Sequence, residues 1–152
     1  MKRRTVLLAG SVLVTAMILA LASVAPANAG DKCKDSVLDG LYVFTASGFG
    51  NVSPGPPQPQ AIVELIRFNG DGTVNVPGGR ISVNGAIFTT GPSTGTYTDP
   101  TPVDTGCESI LTFADPPHPT LYIFIPRDAK TLQMILINPN TVFQGTATKV
   151  SN

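Results

Sequence analysis

Beyond its first thirty residues, the chain alternates short apolar runs with turn residues, and this pattern predicts β-strands. Val, Ile, Thr, Phe and Tyr recur at short intervals, separated by Gly, Pro, Asn and Asp, which is typical of strands joined by turns. No window of about a dozen residues has apolar positions at the helical spacing i, i+3, i+4 and i+7. The predicted strands are 41–49, 61–68, 73–76, 80–90, 95–98, 108–113, 121–125, 131–137 and 142–150.

Short turn segments connect most of these strands. Residues 69–72 read Asn-Gly-Asp-Gly and predict a hairpin, because glycine accepts the positive φ that tight turns need. Residues 127–130 and 138–140 predict two more hairpins, and Pro-Gly-Gly at 77–79 predicts a bulge or corner. Eight or nine strands joined in this way predict an all-β fold, a single antiparallel up-and-down β-barrel of about eight strands.

Three proline-rich segments, 50–60, 99–106 and 115–119, are predicted to be loops at the barrel mouths. Proline has no backbone N–H and cannot donate to a sheet ladder, so we expect none of these segments inside a strand.

Several predicted strands are apolar on both faces, since side chains two positions apart share a face. A barrel fills its interior with one face only, so the other face needs a cover. Either a homo-oligomer covers the outer wall, or the interior holds an apolar ligand while the outer wall contacts neighbouring molecules. On 61–68 the two sets are Ile62, Ile66 and Phe68 against Ala61, Val63 and Leu65.

The N-terminus has the organisation of an export leader. Basic residues at 2–4 precede a long apolar run, and Ala27-Asn28-Ala29 provides the small residues that a leader peptidase requires. The run approaches membrane-spanning length, so an uncleaved anchor is the alternative. Pro26 and the Ala-x-Ala ending favour cleavage. We predict a cleaved signal peptide at 1–29, a single domain at 30–152, and a secreted or periplasmic protein.

Removing the leader changes the charge. All ten acidic residues follow residue 29, but only seven of the ten Lys and Arg do. The exported protein is therefore acidic, with a net charge of −3. No basic surface is available for a nucleic acid, and no polybasic patch would hold the mature protein on a membrane.

Two cysteines, Cys33 and Cys107, remain after the leader. In an exported protein such a pair predicts one disulfide. A metal pair and a reactive thiol are the alternatives, but one distant histidine completes a poor ligand set. We expect no metal and no cofactor.

Few residues indicate chemistry, and none is assigned a catalytic role. Glu64 shares a face with Ile62 and Ile66; inside the barrel it would be a buried carboxyl with a raised pKa, suited to acid–base chemistry or to anchoring a ligand. On the outside it would be a solubilising charge or an interface residue. Tyr97 and Tyr122 would line a cavity, or fill the core with their hydroxyls at the rim.

His118 stands between prolines and is expected to be a solvated loop residue, since no motif supplies a nucleophile beside it.

The chain also resembles a family. Its opening Gly40-Leu41-Tyr42 and the segments 68–74, 95–98 and 141–150 resemble small exported bacterial β-barrels of the lipocalin-like and allene-oxide-cyclase-like kind. The resemblance covers residues 38–150. It implies a barrel and the binding of small apolar molecules, and it carries over no catalytic residue.

The sequence therefore predicts an exported barrel that binds a small hydrophobic molecule in its lumen, at a site including Glu64, Ile62, Ile66, Tyr97 and Tyr122. The first alternative is an isomerase or cyclase whose apolar pocket moulds its substrate. The second is a structural or envelope-interaction protein without a ligand.

Overall fold

The computed structural model describes residues 33–50 and 56–152, and the predicted leader at 1–29 lies outside them. A 3₁₀-helix, Asp35–Leu38, precedes the first strand. The strands are β1 (Asp39–Gly50), β2 (Gln58–Asn69), β3 (Thr73–Val83), β4 (Ala86–Thr90), β5 (Ser93–Tyr97), β6 (Thr101–Val103), β7 (Gly106–Phe113), β8 (Thr120–Pro126), β9 (Thr131–Leu136) and β10 (Val142–Ser151).

Eight of these strands close into an antiparallel barrel in the order β1, β2, β3, β5, β7, β8, β9 and β10, with β10 pairing back onto β1. The remaining ladders join neighbours in the same way. The predicted up-and-down barrel is thus confirmed. The strands β4 and β6 lie outside the closed ring, β4 on the far half of β3 and β6 on the start of β7.

The third strand bends where the sequence predicted a bulge. The register of its pairing with β2 shifts between Leu65 and Arg67 of β2. Gly78 has a φ of 125°, a value that residues other than glycine rarely adopt. The predicted strand 73–76 and the first part of the predicted strand 80–90 are therefore two halves of one bent strand, Thr73–Val83. The first half pairs with β5 and the second with β4.

Residues 80–90 do not form the single strand predicted from their composition. The chain turns at Asn84 and Gly85, whose φ angles of 49° and 86° are typical of a two-residue hairpin turn. The β3–β4 hairpin results. The Asn-Gly pair is a strong hairpin signal, and the prediction overlooked it because the apolar residues on both sides read as one continuous run.

The prediction that 50–60 and 99–106 exclude strand is also wrong in part. Strand β2 begins at Gln58 and includes Pro59, while 101–103 form β6. Pro102 lies on the short edge strand β6, opposite Cys107. An edge strand accommodates proline because its outward side needs no ladder bond.

Aromatic side chains fill one end of the barrel. Tyr42, Phe68 and Tyr97 pack edge to face, with ring centroids 5.2 Å and 5.6 Å apart, the geometry that aromatic quadrupoles favour. The Tyr42 hydroxyl donates to the Ala129 carbonyl at 3.0 Å. Leu38 of the 3₁₀-helix is fully buried against this core, so this end is closed.

The predicted disulfide is confirmed. The Sγ atoms of Cys33 and Cys107 are 1.99 Å apart, and their Cα atoms 5.7 Å apart. Cys107 is buried at the start of β7, so the bond joins the segment before the 3₁₀-helix to the barrel wall at the closed end.

The outer wall carries exposed apolar side chains, as the two-faced strands predicted. Val63 on β2 is 47% exposed and Ile135 on β9 is 48% exposed. On the β3–β4 hairpin, Ile87 is 73% exposed. The homo-oligomer that would cover this surface stays a prediction.

Candidate functional site

The open end of the barrel contains a cavity of about 610 Å³. This volume lies within the range of about 300–1,000 Å³ that is usual for small-molecule sites. Its walls are mainly apolar, and six large side chains in them come from six different strands, β1, β2, β7, β8, β9 and β10. These six are Phe44, Ile62, Phe113, Leu121, Leu136 and Phe143.

Glu64 lies in the wall of this cavity. The burial pattern of β2 places it on the inner face with Ile62, Ile66 and Phe68, as period two predicted. Across the sheet it pairs with Phe44 on β1 and with Gly79 on β3. Its carboxyl therefore has a buried aromatic ring on one side and a residue without a side chain on the other.

Burial raises the pKa of Glu64 from its ordinary value of 4.5 to about 7, because an apolar wall disfavours the charged carboxylate. Among the described residues, no side chain forms an ion pair or a hydrogen bond with Glu64. The group is therefore poised to change its charge near neutral pH, and its hydrogen-bonding capacity is free for a molecule in the cavity.

Thr90, at the end of β4, is one of several other polar residues in the cavity wall. Its Oγ1 atom is buried and has no hydrogen-bond partner among the described residues. Buried hydroxyls are nearly always hydrogen-bonded, so an unpartnered one in a cavity wall points to a partner that enters the cavity. The sequence pattern did not single out Thr90, because one threonine at the end of a predicted strand carries no signal.

The loop before β8 forms part of the rim, as predicted for 115–119. Asp115, Pro116, Pro117 and Pro119 line the cavity. His118 is exposed, and its Nδ1 lies 3.4 Å from the Phe113 carbonyl oxygen. Among the described residues, no carboxylate or hydroxyl is hydrogen-bonded to its imidazole ring, which fits the solvated loop residue expected.

Only two of the five predicted site residues line the cavity, and the other three lie elsewhere in the barrel. Glu64 and Ile62 line the cavity. Ile66 faces the interior but is fully buried deeper in the barrel, where it pairs with Tyr42. Tyr97 belongs to the aromatic core of the closed end, and its hydroxyl donates to the Asp35 carbonyl at 3.0 Å. Neither Ile66 nor Tyr97 reaches the cavity wall.

Tyr122 lies on the outer wall, which corrects its predicted place inside the barrel. Leu121, Ile123 and Ile125 alternate with it and are buried, and its hydroxyl donates to Glu108 Oε2. Both faces of β8 are apolar, so alternation alone did not reveal which one points inward.

Tyr122 borders an open depression of about 710 Å³ on the outer wall. Uncharged polar residues, among them Thr45, Gln133 and Gln144, line much of this depression. Tyr122 is the only titratable residue among those that line the depression. Its hydrogen bond to Glu108 raises its pKa. The depression therefore offers no group for acid–base chemistry near neutral pH.

Within 33–50 and 56–152, no group of three or more His, Cys, Asp and Glu residues is arranged to hold a metal ion. The described residues include no helix with the length and apolar character needed to cross a membrane. No family model matches the chain, and no curated protein or solved structure matches it. The resemblance to lipocalin-like and allene-oxide-cyclase-like barrels therefore stays a prediction.

Proposed function

We propose that this protein binds a small apolar molecule in the cavity at the open end of its barrel. The observation that supports this proposal is the contrast between the two ends. Tyr42, Phe68 and Tyr97 fill the closed end, whereas the other end keeps about 610 Å³ of mainly apolar space. Burying an apolar ligand in such a space contributes about 25 cal/mol per Å² of apolar area removed from water.

The test is uptake of an uncharged fluorescent probe, N-phenylnaphthylamine, whose emission rises in apolar surroundings. Leu136→Trp would fill part of the cavity, since Leu136 lines it. Ile135→Trp is the matched control, because its neighbour Ile135 is 48% exposed on the outer wall. We expect the first variant to lose most of the probe signal and the second to keep it. Equal signals from both variants, or none from the unmodified protein, would refute binding in the cavity.

A second candidate function is acid–base catalysis of an isomerase or cyclase type. It is favoured by Glu64, since a pKa of about 7 is near the optimum for a general acid or base at neutral pH. Native mass spectrometry with extraction of co-purifying compounds would supply candidate substrates. Catalysis requires that such a compound be converted by the unmodified protein and stay unchanged with Glu64→Gln. Binding alone predicts that both proteins return it unaltered.

We also propose that the protein acts outside the cytoplasm, in the periplasm or the medium. The Cys33–Cys107 disulfide supports this location, because disulfides persist in oxidising compartments. N-terminal sequencing of the exported protein is the test. A chain beginning at Gly30 is the expected result, and intact leader on exported protein would contradict cleavage after Ala29.

A further inference from the structure

The charges around the cavity have one sign. Glu64 in the wall and Asp115 at the rim are the titratable residues among those that line it, and no Lys, Arg or His does. Arg80, the nearest basic residue along β3, is exposed and pairs with Val63, whose side chain points outward. The cavity thus presents carboxyls to a ligand without a cation of its own.

Two of the unpartnered polar groups in the cavity wall, the Glu64 carboxyl and the Thr90 hydroxyl, lie in one row across three strands. Glu64 on β2 pairs with Gly79 on β3, and Gly79 pairs with Thr90 on β4. At the usual strand spacing of roughly 4.8 Å, the Cα atoms of Glu64 and Thr90 are about 10 Å apart. Gly79 between them has no side chain, so the row has a gap there with a carboxyl on one side and a hydroxyl on the other.

We propose that the ligand is a lipophilic amine, whose protonated amino group lies between the Glu64 carboxylate and the Thr90 hydroxyl while its apolar part fills the cavity. This inference rests on the proposed function. An ammonium group donates three hydrogen bonds and accepts none, so it matches a carboxylate and a hydroxyl that both lack donors. The ligand class follows from this match.

The other common amphiphiles fit less well. A fatty acid would bring a second carboxylate beside Glu64 and Asp115, with no cation near either, and like charges in an apolar site disfavour binding. A fatty alcohol would donate one hydrogen bond to the carboxylate but bring no charge to neutralise it. An ammonium group donates three hydrogen bonds and supplies the opposite charge, so the amine has the largest gain.

The amine's affinity is expected to depend on pH. It should rise as Glu64 ionises through its pKa of about 7, since a simple alkylamine stays protonated over that range. Phe44 and Gly79, which flank Glu64 across the sheet, do not titrate. Asp115 at the rim is the other lining carboxyl, and the exposed Arg80 points away from the cavity.

The experiment is isothermal titration of the purified, oxidised protein at pH 8 with decylamine, decanol and decanoate. The amine and the carboxylate are kept below their micelle concentrations, and decanol is kept below its solubility limit. We expect decylamine to bind at least about tenfold more tightly than decanol, with decanoate weakest. Glu64→Gln should weaken the binding of decylamine about tenfold and change the affinity for decanol by no more than about twofold. Thr90→Val, which keeps the side-chain shape, should weaken the amine by about threefold.

Asp104→Asn is the matched control, because this carboxyl is exposed and lies away from the cavity lining. It neutralises one acidic group at a distance, so a general effect of net charge would appear equally in it and in Glu64→Gln. Equal affinities for amine and alcohol, or decanoate binding best, would overturn the amine inference and leave the apolar-binding function standing. If none of the three compounds binds, the proposed function itself fails.

Discussion

Gly79 faces Glu64 so closely across the β2–β3 pair that a Cβ atom on residue 79 would lie 2.4 Å from the Glu64 Cβ and 2.2 Å from the Val63 carbonyl oxygen. The second contact is with backbone, which cannot rotate away. The cavity wall around Glu64 therefore depends on a glycine at this position.

Gly79→Ala should lower the free energy of unfolding by about 2 kcal/mol, because the added methyl group displaces the β2–β3 ladder. Gly91→Ala is the control, since a Cβ there meets nothing within 4 Å, and its effect should stay within about 0.5 kcal/mol. Urea denaturation of both variants measures the difference. Equal stabilities would show that the strands absorb the methyl group without cost.

Glu64→Gln should change how stability depends on pH. The folded pKa of Glu64 is about 7 against an ordinary 4.5, so folding favours the protonated carboxyl. Its contribution is complete below pH 4.5 and is lost as pH rises through 7. Glu64 is partly exposed, so solvent screening reduces the effect of its pKa shift on stability. We expect the free energy of unfolding to fall by about 2 kcal/mol between pH 4.5 and 8 because of this group.

The glutamine variant lacks this titration, so its stability should stay flatter over the same interval. It should unfold at a higher temperature than the unmodified protein at pH 8 and at a similar one at pH 4.5. Calorimetry at the two pH values measures both. Parallel pH profiles for the two proteins would mean that Glu64 titrates as an ordinary solvated carboxyl.

Tyr42→Phe should destabilise the closed end by about 1 to 2 kcal/mol, because it leaves the buried Ala129 carbonyl without its donor. The comparison is Tyr122→Phe on the outer wall, where water replaces the lost bond to Glu108, and where about 0.5 kcal/mol or less is expected. Chemical denaturation of the two variants provides the measurement. A larger loss for Tyr122 would reverse the assignment of the inner and outer faces of β8.

Reducing the Cys33–Cys107 bond should lower the free energy of unfolding by about 4 kcal/mol, since the bond closes a loop of 74 residues in the unfolded chain. Cys33→Ser with Cys107→Ser should reproduce the loss without a reductant. Denaturation in the presence and absence of dithiothreitol tests this. A double variant as stable as the oxidised protein would show that the 3₁₀-helix docks without the bond.

The overall barrel could be predicted from the chain alone because local rules govern most of its parts. Turn residues mark the hairpins at 69–72 and 127–130, and the Pro-Gly-Gly at 77–79 marks the bulge. Period two grouped Glu64 with Ile62 and Ile66 because it depends only on backbone geometry. The pair of cysteines, together with the predicted export leader, predicted the disulfide. These signals are all contained in a few neighbouring residues or in simple composition.

Only the tertiary structure decided which face points inward and which end stays open. Both faces of β8 are apolar, so the inward position of Ile123 and the outward position of Tyr122 depend on how eight strands close. Tyr97 serves the core because the 3₁₀-helix packs at its end of the barrel. Glu64 and Thr90 lie on either side of Gly79 only because β2, β3 and β4 are adjacent. Such relationships arise from pairing between segments that are far apart in the chain, so they cannot be predicted from any local stretch of sequence.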